Sequence, residues 1–163
     1  MTGTDEALPA GYPDQLPAVE LRVLTRETYL PILRMKIDEV QAKMVASNAM
    51  SLAQASFHSE ARPFGLFAGE LPVGFVMFSV EEQEKGNLWV WRLLIAKEHQ
   101  RKGFGKQAMQ AIIQHARGQD GIRELKLSHV DSLPGSPGPF YRSFGFEYTG
   151  ELDEEERIMR LEL

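Results

Sequence analysis

Apolar residues alternate with charged ones from Val19 to Val23, where Glu20 and Arg22 separate Val19, Leu21 and Val23. A period of two predicts a half-buried strand. Thr25 is then a candidate cap for a helix over the Tyr29–Met35 region, with Pro31 near its first turn. Residues 37–58 read as helix in one or two pieces, with a break signalled by the capping residues of Val45–Ser51. From Arg62 the pattern changes. Phe64–Ala68 and Val73–Val80 are apolar runs around the turn-like Gly69-Glu70-Leu71-Pro72, a hairpin signal. After the acidic turn Glu81–Gly86, the run Leu88–Ile95 is apolar on nearly every side, as expected of a central strand covered on both faces.

The clearest helix follows. Phe104, Ala108, Ala111, Ile112 and Ala116 form one stripe of a 3.6-residue period, and Lys106, Gln107, Gln110 and Gln114 take the other face. Gly118 and Gly121 bracket its end, and Ile122–Val130 alternates again as a strand. A Pro- and Gly-rich connector (132–139) leads to a short helix, Phe140–Phe144, stopped by Gly145. Phe146–Thr149 and Arg157–Leu163 close the chain as strands around the charged turn Glu151–Glu156. The order predicts an α/β (α+β) domain: a mixed, mostly antiparallel central sheet of six to seven strands with helices on both faces.

Length and composition narrow this picture. The 163 residues suit one domain, expected over 18–163, with the aperiodic, Pro-rich residues 1–17 as a mobile tail. The chain has no cysteine, which excludes disulfides, thiolate metal sites and cysteine nucleophiles. No His/Asp/Glu set has ligand spacing, so no metal is expected. The formal net charge is -5, from 18 Lys+Arg against 23 Asp+Glu, which argues against nucleic acid as a partner and is otherwise an ordinary solubility charge. No apolar stretch nears the ~18 residues of a membrane span, and there is no signal-peptide pattern at the start, so no membrane association and a cytoplasmic location are expected.

One loop carries chemistry. Gln100-Arg101-Lys102-Gly103-Phe104-Gly105 lies between the central strand and the amphipathic helix. A helix N-terminus leaves about four N–H groups unpaired and carries partial positive charge. Glycines let the backbone approach a phosphate, and Arg101, Lys102 and Lys106 add full charges. The spacing matches neither a dinucleotide fingerprint nor a nucleotide-hydrolysing loop, and alone it also fits a well-capped tight turn.

Together with Phe140-Tyr141-Arg142-Ser143-Phe144-Gly145-Phe146, the chain from Val19 to Leu163 resembles the GNAT acyltransferase superfamily. The loop matches that family's Q/R-x-x-G-x-G/A pattern and the second stretch its aromatic-Y-x-x-x-G-F. Within the superfamily, Ala46–Ala55, Trp91–Ile95 and Phe146–Leu152 are most similar to small bacterial polyamine or diamine acetyltransferases.

The resemblance implies acetyl-CoA as donor, a small-molecule primary amine as acceptor, direct transfer in a ternary complex, and splayed central strands around the thioester. It implies pyrophosphate on the backbone N–H groups of Arg101, Lys102, Gly103, Phe104, Gly105 and Lys106, with Gln100 also among the cofactor-binding residues, and pantetheine along the edge of Leu93, Leu94 and Ile95. It further implies the backbone of Leu94 at the oxyanion, and Tyr141 as cofactor contact and general acid. Ser136 stands where the family more often has a cofactor-contacting asparagine. A homodimer is a common family assembly, although the sequence carries no dimer signal of its own.

The base stays open. Many relatives have a carboxylate on the central strand, but here its one charged residue is Arg92. Candidates are Glu82, with Glu81 and Glu84 beside it, or His129, directly or through water. Each has a plainer reading, a solvated turn for the glutamates and a packed rim residue for His129. Trp89 and Trp91 read as core or cleft lining, and Met35, Met44 and Met50 as core or an adaptable acceptor wall. Other acceptors, such as amino acids, aminoglycosides, or a protein N-terminus or lysine, fit the same motifs. So do a non-catalytic acyl-CoA sensor and a phosphate-binding structural protein.

Overall fold

The computed structural model describes residues 16–163, so all but the last two residues of the expected tail lie outside the described residues. Seven strands form one sheet in the order β1-β2-β3-β4-β5-β7-β6. They are β1 (Val19–Val23), β2 (Ala61–Ala68), β3 (Leu71–Ser79), β4 (Asn87–Ile95), β5 (Glu124–His129), β6 (Glu147–Asp153) and β7 (Glu156–Glu162). Every pairing is antiparallel except β4 with β5, which is parallel.

Alternation along β3 and β4 divides the core between the two faces. Phe75, Met77 and Trp91 pack with Ile32 of α1 (Tyr29–Leu33) and with Leu52 and Ala55 of α2 (Asn48–Ala55). Val76, Phe78, Leu88 and Val90 pack on the opposite face with Phe104, Met109 and Ile112 of α3 (Phe104–Arg117). Fully burying side chains of this size contributes about 1.5–3 kcal/mol each. Phe140 and Tyr141 of the short α4 (Gly138–Arg142) lean on this second core. Helices therefore lie on both faces, as the pattern predicts.

Two local expectations change. Residues 37–58 are not mostly helix: a single 3-10 turn spans Gln41–Lys43, and α2 begins only at Asn48. The Asp38 carboxylate accepts from the Gln41 backbone N–H at 2.9 Å, a local bond that competes with continued helix. Ser47 is extended, and its hydroxyl caps α2 by accepting from Met50 N–H at 3.2 Å. Thr25, in turn, does not cap α1 with its side chain. Its carbonyl accepts from Thr28 and Tyr29, and its hydroxyl accepts from Glu27 N–H.

The irregularity that matters for the site lies in β4. Met77 pairs with Arg92 and Phe78 with Val90, so Trp91 is an extra residue, a β-bulge. Pairing with β5 runs only from Asn87↔Glu124 to Val90↔Leu127 and stops at that bulge. A bulge bends and twists its strand, and here the two parallel strands part where it occurs.

Candidate active site

The parting leaves a cleft of about 960 Å³, within the usual range for small-molecule sites. One wall is β4 from Val90 onward and another is the end of β5 from Leu127 to Val130. Tyr141 closes one side and the segment around Asp38–Ala46 another, with Gln100, Arg101 and Gly105 at the end that meets α3.

The loop before α3 is built as a turn the chain must force. Arg101 has φ of 59° and Gly103 of 83°, both left-handed. At Gly103, the N-cap of α3, a Cβ would meet nothing within 4 Å among the described residues, which leave the space in front of the helix open. The Gln100 amide fixes the loop by donating to the Ile95 carbonyl at 3.0 Å and to Gln41 Oε1 at 2.7 Å. Lys102 donates to the Glu98 carbonyl at 2.6 Å, while Arg101 and Lys106 are exposed. Phe104 is buried in the core, so only its backbone is available to a ligand.

Backbone direction corrects one expectation. Ala96 N–H donates to the Val73 carbonyl, and Gly74 pairs with Ile95 and Phe75 with Leu94. In an antiparallel ladder hydrogen-bonded pairs alternate. Leu94 therefore turns its N–H and carbonyl toward β3, and Leu93 and Ile95 turn theirs toward the cleft. The Ile95 carbonyl bonded by Gln100 agrees with this. The donor facing the cleft is Leu93 or Ile95, not Leu94.

Tyr141 is half-buried, and its hydroxyl has no hydrogen-bond partner among the described residues. Desolvation, assisted by Glu156, pushes its pKa up to about 12, so it is a phenol at neutral pH. His129 is buried nearby, its ring centroid 5.9 Å from that of Tyr141. Both of its nitrogens are engaged: Nε2 with the Tyr148 hydroxyl at 3.1 Å, and Nδ1 with the Val130 carbonyl at 3.2 Å. An imidazole held this way is part of the cleft wall, its ring fixed by both bonds. Ser136 turns toward the same cluster, donating to Asp131 Oδ1 at 3.0 Å, so its side chain does not line the cleft.

Glu82 also lies outside the cleft. It accepts from Asn87 Nδ2 at 2.9 Å and Trp89 Nε1 at 3.0 Å, with the Lys126 ammonium 3.7 Å away. The Trp89 bond first, then Asn87 and the lysines, lower its pKa to about 2. A carboxylate that weakly basic is a strut at the paired end of β4 and β5. Glu81 and Glu84 are exposed and do not line the cleft.

The cleft does hold charges. Arg92 donates to the Trp91 carbonyl at 2.9 Å and to Gln54 Oε1 at 3.3 Å, and its buried Nε has no partner among the described residues. Its pKa is lowered by burial and raised by Glu156. Glu156, at the start of β7, is half-buried in the cleft lining and accepts from the Ser128 hydroxyl at 2.6 Å.

Residues 27–146, well over half of the chain, match the model of the acetyltransferase (GNAT) family. The chain belongs to that family. Named as such, the acetyltransferase is 29% identical over 153 residues to the spermine/spermidine N(1)-acetyltransferase of Bacillus subtilis, covering 90% of this chain and 99% of the relative. Its fold is shared by the Thermoplasma acidophilum PaiA N-acetyltransferase solved with coenzyme A (TM-score 0.63, 18% identity, 90% and 99% covered). It is shared too by a Vibrio cholerae spermidine N-acetyltransferase chimera (TM-score 0.70, 20% identity, 89% and 95% covered).

In this acetyltransferase the loop, the strand edge and Tyr141 meet at one cleft, as the motifs imply. Acetyl-CoA is its acetyl donor, and the open seat before α3 and the unpaired edge of β4 fit that molecule's anionic and amide-bearing parts. Among the described residues no group of three or more His, Asp or Glu could hold a metal ion, and no helix is long and apolar enough to cross a membrane. Met44 lines the cleft, Met35 packs in the α1–α2 core and Met50 is exposed. Gln41 and Glu156 are cleft residues that the sequence reading missed. Nothing in the local sequence marks Gln41, and Glu156 looks like the last member of an acidic turn.

Proposed function

We propose that the enzyme transfers the acetyl group of acetyl-CoA to a primary amine of a polyamine-like small molecule by direct attack. The observation that carries this reading is the parting of β4 from β5 beside the anion-binding loop, with Tyr141 on one wall and carboxylates, Asp38 and Glu156, in the lining. The curated relative's polyamine acceptors support the same class.

Loop N–H groups from Arg101 to Lys106 take the pyrophosphate, and Arg101 and Lys106 add charge. The cleft-facing groups of Leu93 and Ile95 take the amides of the pantetheine arm, with a Leu93 or Ile95 N–H turned to the oxyanion that develops during attack. Tyr141 donates to the departing sulfur. With a pKa near 12 it is a weaker acid than an ordinary thiol of ~8.5, so it first stabilises the thiolate through a hydrogen bond. It passes its proton on as it regains one from the acetylated nitrogen.

Thiol release measured over spermidine, spermine, amino acids, an aminoglycoside and lysine peptides tests this reading. Turnover highest with polyamines is expected. Acetyl-CoA binding without turnover on any amine would instead make the protein a sensor. Preference for peptides would move the acceptor to a protein.

A further inference from the structure

We propose that Glu156 is the residue that receives the acceptor ammonium and takes its proton, with Ser128 as the positioning residue that holds its carboxylate. This deepens the reading above and rests on it.

Three placements converge. First, the β4 bulge turns two consecutive side chains, Trp91 and Arg92, toward the α1–α2 side, where Trp91 packs on that core and Arg92 reaches Gln54 of α2. Tyr141 approaches from the α3–α4 side. Leaving group and nucleophile must meet the carbonyl carbon from different directions, so with Tyr141 at the sulfur the amine enters on the Arg92 side.

Second, the cleft lining contains two carboxylates among the described residues, Asp38 and Glu156. Asp38 gives one oxygen to the N–H of Gln41, whose side chain is bonded to Gln100, so it stands at the end of the cleft by the loop before α3. Among the described residues Glu156 forms no ion pair: one of its oxygens accepts from Ser128 at 2.6 Å, and the other has no hydrogen-bond partner. Ser128 alternates with Leu127 and His129, which point into the α3–α4 core, so it faces the α1–α2 side. Third, Glu156 lines the same cleft as Arg92 and Tyr141, and its charge favours the protonated form of both.

The step balances without another reactant. The ammonium gives one proton to Glu156, and the neutral nitrogen attacks the thioester carbonyl. The C–N bond forms and the C–S bond breaks. The second nitrogen proton reaches the sulfur through Tyr141, and Glu156 returns its proton to water.

The test compares wild type with Glu156→Gln and Ser128→Ala, using acetyl-CoA and spermidine. Gln keeps an acceptor for the Ser128 hydroxyl. At pH 7 we expect kcat/KM to fall about 100-fold or more in Glu156→Gln and several-fold in Ser128→Ala, with coenzyme A affinity and melting temperature near wild type. The ratio of wild-type to Glu156→Gln activity should then shrink as pH rises toward the ~10 at which a free alkylamine loses its own proton. The charged groups around Glu156 hold steady in that window: Arg92 stays charged, and Tyr141 keeps its proton to about 12. A Glu156→Gln enzyme keeping more than a third of wild-type kcat/KM, or a defect constant with pH, overturns the assignment. Wild type that binds acetyl-CoA but acetylates no amine overturns the proposed function itself, a result read before any variant is made.

Discussion

Replacing Glu82 by Gln should weaken the fold and leave acetyl transfer in place. The carboxylate ties the connector before β4 to Asn87 and Trp89 on that strand and to Lys126 on β5, at the end where the parallel pair is closed. Its pKa of about 2 against an ordinary 4.5 corresponds to at most about 3.4 kcal/mol of stability at neutral pH. The side chain is 29% exposed and Lys85 beside it 72%, so solvent screening reduces this to about 1–2 kcal/mol. For a domain of this size that is a loss of roughly 2–8 °C in melting temperature. Because the folded pKa is depressed, the contribution is complete above about 4.5 and vanishes as pH falls toward 2. Thermal melts of wild type and Glu82→Gln should therefore differ at pH 7 and converge on acidification. A gap that persists unchanged at pH 2.5 would refute the electrostatic account. A normally melting variant with tenfold lower turnover would refute the placement of Glu82 outside the chemistry.

Tyr141→Phe should lower kcat about 100-fold while coenzyme A affinity, read by calorimetry, stays unchanged; wild-type turnover would remove the phenol from the sulfur. Gly103→Trp finds open space around its Cβ but sits over the mouth of α3 in a left-handed conformation, so it should cost about 1–2 kcal/mol of stability and weaken coenzyme A binding more than tenfold. Unchanged affinity would move the pyrophosphate seat elsewhere. Gln100→Ala removes the amide bonds to Ile95 and Gln41, and a several-fold rise in the KM for acetyl-CoA should follow, with kcat near wild type at saturation.

What was legible in the sequence depended on whether the signal was local. The α3 stripe, the β2–β3 hairpin and the loop motif are local, and each stands within a few residues of its expected place. The bulge at Trp91 is not local: it exists only because β3 offers one residue fewer than β4 across that stretch, and the apolar run of β4 conceals it. The direction of the Leu94 N–H follows from that register, which explains why the backbone assignment slipped by one residue. Glu156 was hidden for a related reason. In a run of glutamates before a strand every member reads as solvated, and only the pairing of β7 with β5 brings this one beside Ser128.

The same register accounts for how a cleft meant for a cation can carry Arg92 on its central strand. A half-buried guanidinium with one unpaired nitrogen would repel an incoming ammonium unless an anion lay closer to the path of entry. The bulge sends Arg92 sideways to Gln54 and Trp91, where amide and ring engage it, and so withdraws its charge from the centre. Glu156 supplies the opposing charge from the next strand but one. Attraction for the amine then depends on a carboxylate that β7 delivers, and the opening that admits the amine depends on Glu82 keeping the far end of β4 and β5 shut.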